Sequence, residues 1–123
     1  MGKVYASNLS ERLLRFAVDV MKLTGGIHGG KELDVVKSQV CRCATSVGAN
    51  YTESQSTTRK EFPAKIRICV REGMESMYWL RVLQGLEVLQ KTRVESLLRE
   101  SEEIVKILKT ILRKTSNITI PYE

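Results

Sequence analysis

The chain has 123 residues and a formal net charge of +6, the length of one ordinary domain that buries a core without disulfide or metal staples. That argues against a disulfide scaffold or a multidomain enzyme, and no apolar run approaches the roughly 18 residues of a membrane span. The cationic excess points toward anionic partners rather than toward any chemistry.

Four helical segments follow one another. In the first, Leu9, Leu13, Phe16, Val20 and Leu23 repeat at steps of 4, 3, 4 and 3, which lines one face of a helix. Ser7, Asn8 or Ser10 is placed to cap its start, and Gly25-Gly26 to end it. The second runs from about Leu33 to Glu53 with Val36, Val40, Cys43, Val47 and Asn50 on a stripe. Its last inward position is polar. The third opens at Thr58-Arg59-Lys60-Glu61, where a threonine and a glutamate three residues on satisfy orphan amides reciprocally. It continues to about Gln84, with Pro63 close enough to the start to be tolerated and Gly85 as its expected cap unless Leu86 to Leu89 extend it. The fourth opens at a second such box, Thr92-Arg93-Val94-Glu95, followed by Val94, Leu98, Ser101, Val105, Leu108 and Leu112. Short connections make neighbouring helices antiparallel, so the expected fold is all-α, an antiparallel up-and-down four-helix bundle. It spans residues 1–123 as a single domain, with 115–123 as a short C-terminal tail docked on a neighbouring surface.

Cys41, Cys43 and Cys69 read as reduced core thiols of a soluble cytoplasmic protein. On a helix, Cys41 and Cys43 point about 200° apart, a poor start for a metal site. His28 is the single histidine, in the turn Gly25-Gly26-Ile27-His28-Gly29-Gly30, away from any thiol or acidic cluster. No catalytic residue, metal ligand or cofactor site is expected.

Residues Ser38 to Leu83 are more specific. Gln39, Arg42 and the run Ser46-Val47-Gly48-Ala49-Asn50-Tyr51 are followed by Glu61-Phe62, Lys65-Ile66, Glu72, Glu75 and Tyr78-Trp79-Leu80. Together with Leu14-Arg15-Phe16-Ala17-Val18, this pattern resembles the four-helix-bundle proteins encoded within intervening sequences of bacterial large-subunit ribosomal RNA genes. The departures are Pro63 and the turn Ser54-Gln55-Ser56-Thr57-Thr58. The resemblance implies a homo-oligomer, commonly a pentameric ring, without enzymatic activity. A related group, the accessory proteins of diversity-generating retroelements, implies a reverse transcriptase and nucleic acid as partners.

Read by their physics, Gln39, Arg42 and Asn50 of the second helix face Glu72 and Glu75 of the third as a structural polar network. A polar ligand pocket is the weaker alternative. If the Arg42 pair is buried, its removal strands a carboxylate and destabilises the bundle strongly. The Glu72/Glu75 pair lacks the Glu-x-x-His motifs of di-metal bundles. Tyr78, Trp79 and Leu80 are consecutive and cannot share one face, so Tyr78 and Trp79 are candidates for an oligomer interface, with Trp79 as core filler the plainer alternative. Lys60, Arg67 and Arg71 fall within about 40° of one another on an ideal helix, a basic stripe that either contacts phosphate or is simply solvated. Lys106, Lys109 and Arg113 join them as nucleic-acid candidates, although cations late in a helix also serve its dipole. Neither an aromatic platform nor a base-reading motif is evident, so binding to RNA or DNA is expected to be nonspecific and salt-dependent. The sequence thus favours a non-enzymatic oligomeric module that binds RNA or DNA. The alternatives are an adaptor docking on a reverse transcriptase or similar enzyme, and a purely structural oligomer.

Overall fold

The computed structural model describes the backbone of residues 2–116 and the side chains of residues 8–115. Four helices follow in order: α1 Gly2–Gly25, α2 Lys31–Ser54, α3 Phe62–Leu86 and α4 Lys91–Ser116. Each packs on its neighbour in sequence, and α4 closes the ring against α1. Short connections reverse the chain each time, which gives the expected all-α up-and-down bundle.

The α1 stripe is buried as its periodicity requires, with Leu13 and Val20 wholly inaccessible. Ser7, Asn8 and Ser10 do not cap this helix; it begins at Gly2, so they lie within it. Gly25 ends it as expected. Ile27 then tucks into the core, its amide donating to the Thr24 carbonyl at 3.0 Å while Lys37 Nζ donates to the Ile27 carbonyl at 2.8 Å. This ties the α1–α2 connection to α2.

On α2 the inward positions include Val36, Val40, Cys43, Val47 and, one residue beyond the expected Asn50, Tyr51. Asn50 is half-buried, and its Nδ2 donates to the Ser46 carbonyl and hydroxyl, each at 2.9 Å. The polar core position expected there therefore does not exist. A helix of 3.6 residues per turn drifts across a seven-residue repeat, and by the last turn it has rotated Tyr51 inward. Gly48 faces α1, where a Cβ on it would make ordinary contact with Leu13 Cβ at 3.5 Å.

Thr58 and Glu61 do form their reciprocal box: each amide donates to the other's side-chain oxygen, at 3.2 Å both ways. The Thr58 hydroxyl, which also donates to the Glu61 carboxylate at 2.8 Å, and then the Thr58 amide hold that carboxyl below its ordinary range. The box closes a separate turn, however, and the regular helix starts at Phe62 with Pro63 in its first turn, where the missing donor would be unpaired anyway. Gly85 does not cap α3. The helix runs past it to Leu86 and stops at Glu87, which takes the left-handed conformation with φ 55° and donates its amide to the Gln84 carbonyl. The reversal falls where it delivers Leu89 onto the core. The second box is not used either. The amides of Arg93 and Val94 donate to the Gln90 carbonyl, so α4 begins at Lys91 with Thr92 already inside it. Val94, Ser101, Val105, Leu108 and Leu112 are buried as expected, joined by Leu97 and Ile104, while Leu98 is half-buried. Residues 115 and 116 are helical rather than tail, and 117–123 lie outside the described residues.

The core is almost entirely apolar. Its buried hydroxyls, Thr24, Ser54, Ser76 and Ser101, each donate to a carbonyl three or four residues back in their own helix. Among the described residues no buried side-chain nitrogen or oxygen lacks a partner. An interior satisfied in this way leaves recognition to the surface.

Candidate nucleic-acid interface

Arg42 does meet both expected carboxylates, Nη1 donating to Glu72 at 3.2 Å and Nη2 to Glu75 Oε2 at 2.6 Å. The contact is not buried. The Arg42 side chain is 50% exposed, because it projects from the outer edge of the α2–α3 seam. This corrects the expectation of a buried network: Gln39, half-buried, stands apart from the ion pair, and Asn50 bonds within its own helix. Glu75 Oε2 also accepts from Trp79 Nε1 at 3.1 Å. That indole bond first, and Arg42 second, hold the Glu75 carboxyl below its ordinary range. The guanidinium of Arg42 is correspondingly raised by Glu75 and then Glu72.

Trp79 is half-buried and packs against the core. Tyr78 is 60% exposed and meets Trp79 edge to face, with ring centroids 5.1 Å apart and planes at 76°. A chain of contacts thus runs from Arg42 through Glu75 and Trp79 to Tyr78, fixing a solvent-facing aromatic ring.

Lys60 sits in the turn before α3 rather than on the helix, so the angular relation drawn for it on an ideal helix does not hold. Arg67 and Arg71 do share the outer face of α3, and three further residues continue the stripe. Arg67, Arg71, Met74, Tyr78 and Arg81 recur at steps of 4, 3, 4 and 3 and lie within about 80° of one another. Around Tyr78, Met74 and Arg81 line a shallow groove of about 530 Å³, together with Met77 and Val82. None of Arg67, Arg71 and Arg81 is in an ion pair among the described residues. Sequence reasoning missed Arg81 and Met74, although the heptad-like spacing was there to be read. It was masked because the same spacing normally marks a buried face.

Lys106 and Arg113 are exposed and Lys109 is half-buried on the C-terminal half of α4. Antiparallel packing puts that half beside the N-terminal half of α3, at the end of the bundle nearest Arg67. Glu95 and Glu102 lie toward the other end of α4.

Cys43 and Cys69 are buried, and desolvation raises both thiols, Cys69 to about 12. Cys41 is partly exposed and shares a 3.2 Å contact with the Thr24 hydroxyl. Among the described residues no group of three metal-ligating side chains gathers, and no helix is long and apolar enough to cross a membrane.

The fold and this surface define a small four-helix bundle with a cationic, aromatic stripe on the outer face of α3. The model of the 23S rRNA-intervening sequence protein family matches residues 7–110, and the chain belongs to that family. It is also similar to a crystal structure of a protein of unknown function from the S23 ribosomal protein family of Bacteroides thetaiotaomicron. The two share 32% identity over 85% of this chain and 98% of that one, with a TM-score of 0.77. No curated protein matches it.

Proposed function

We propose that this chain is a non-enzymatic, homo-oligomeric member of its family that binds RNA or DNA without sequence preference through the solvent face of α3. The observation that carries the reading is the distribution of charge on that helix. Its exposed positions include Arg71 and Arg81 but no carboxylate, since Glu72 and Glu75 are drawn back into the contact with Arg42. Cations whose neighbouring carboxylates are already engaged by Arg42 attract a polyanion and release its counterions on binding.

Self-association is supported by α1. Leu14, Val18 and Met21 are exposed at i, i+4 and i+7, with Leu14 57% and Met21 53% accessible. This second apolar stripe points away from the core, on a helix diagonally across the bundle from α3. Burying that stripe against another part of a second copy leaves the α3 face open, and such a head-to-tail contact closes into a ring when the rotation allows. The pentamer implied by resemblance is one such ring.

Light scattering on the purified protein, alone and with a mixed-length RNA at low and moderate salt, tests both halves. The expected result is an oligomer that takes up RNA and releases it as salt rises. Replacing Lys60, Arg67 and Arg71 together with Gln should keep the fold and lower the salt slope by about one to two. A monomer contradicts the assembly, and unchanged affinity in the triple variant contradicts the interface. An oligomer with no RNA uptake favours the adaptor role, in which the α1 stripe covers a protein such as a reverse transcriptase.

A further inference from the structure

We infer that the nucleic acid taken by α3 is single-stranded, with an unpaired base stacked on Tyr78 and the phosphates on either side held by Arg71 and Arg81. The inference rests on the nucleic-acid reading above and adds the class of ligand and the residue that recognises it. Tyr78 lies between the two arginines on one helical stripe, seven residues after Arg71 and three before Arg81. At 1.5 Å per residue the stripe from Arg67 to Arg81 is about 21 Å long, enough for several nucleotides. A stacking platform between backbone-tracking cations is the arrangement by which proteins hold single strands without reading sequence, because every base offers a π-face. A duplex hides those faces.

The ring is also held in place, which separates it from a stray surface tyrosine. Trp79 meets it edge to face at 5.1 Å, and Trp79 is itself fixed by the 3.1 Å bond from its Nε1 to Glu75, which Arg42 anchors at 2.6 Å. A side chain ordered before binding loses less entropy on stacking. Met74 and Met77 flank it in the groove, and methionine adapts its shape to an aromatic neighbour of either size. The polar residues that read as a structural network thus position the aromatic residue of a surface site.

The test is fluorescence anisotropy with a labelled mixed-sequence 12-nucleotide RNA, the same strand with abasic positions, and its duplex, using the full chain at fixed concentration. The emission of Trp79, the single tryptophan, is followed in parallel. Wild type should prefer the intact single strand, and its emission should change on binding. Tyr78→Ala should lose about tenfold in affinity for the intact strand, none for the abasic one, and leave the salt slope unchanged, whereas Tyr78→Phe should bind like wild type. Arg71→Gln and Arg81→Gln should each lower the salt slope instead. Salt-dependent binding that ignores both the abasic positions and Tyr78→Ala overturns the inference while the nucleic-acid reading stands. No binding by wild type overturns both. A fall in oligomer mass for Tyr78→Ala, measured by light scattering, would make this face a seam between copies and equally overturn it.

Discussion

The approach of α4 to Gly73 gives a quantitative test of the bundle's packing. Gly73 of α3 faces α4, and a Cβ placed on it would stand 2.9 Å from Val105 Cγ2. Carbon atoms prefer about 3.5–4.0 Å, so Gly73→Ala forces either a separation of the two helices or a new Val105 rotamer. The second route is poor, because a β-branched side chain in a helix has one strongly favoured χ1, and Val105 is buried. Overpacking of this kind costs about 1–3 kcal/mol, while alanine regains about 1 kcal/mol of helix propensity over glycine. The net expectation is neutral to about 2 kcal/mol destabilising. Urea unfolding followed by Trp79 fluorescence at constant protein concentration measures it. Two reference variants isolate the steric part. Gly85→Ala meets no atom within 4 Å and should stabilise by roughly 0.5–1 kcal/mol. In a double-mutant cycle, Val105→Ala should relieve Gly73→Ala, with a favourable coupling of about 1–3 kcal/mol. A Gly73→Ala variant stabilised as much as Gly85→Ala, with no coupling to Val105, would refute the close approach of α3 and α4.

Three further outcomes follow from the surface and the thiols. Arg42→Ala should shift Tm only slightly, because the Arg42 side chain is half-exposed, the contact lies at the surface and Glu75 keeps its bond from Trp79; calorimetry showing loss of folding at ambient temperature would contradict that surface placement. The Glu75 carboxyl is held below its ordinary value of 4.5 by Trp79 and Arg42. Its contribution to stability is therefore complete above about pH 4.5 and lost as pH falls through the lower folded value. Trp79 emission should change with a midpoint below 4.5 and lose that transition in Glu75→Gln; a midpoint at or above 4.5 in wild type contradicts the bond. Iodoacetamide at pH 8 should modify Cys41 well before Cys43 and Cys69, which burial keeps protonated and the fold keeps inaccessible; mass spectrometry showing early labelling of Cys69 would contradict the core described.

The four helices, their order and most of their buried faces were legible because an amphipathic helix shows its core stripe directly in its spacing: all five stripe residues of α1 were readable in this way. The family was legible from the run between Gln39 and Leu80. Helix ends were read less well. The pairs Thr58/Glu61 and Thr92/Glu95 have the same spacing, yet only the first forms its bonds. The second lies inside a helix whose start is set by the chain's exit from the α3–α4 turn, so the alternative was decided by a connection rather than by the four residues themselves. Gly85 and Glu87 make the same point, since a glycine offered the cap and a glutamate took it.

What the sequence by itself determined was local: periodicity, the pairing of Arg42 with Glu72 and Glu75, and the presence of cations and aromatics on α3. Only the tertiary structure decided which of these faced water. Burial depends on what the other helices cover, and that is not written in any one helix. Packing against α2 and α4 turned Arg42 outward, drew Trp79 half inside, and left Tyr78 in solvent between Arg71 and Arg81, converting an expected core network into the support of an exposed site.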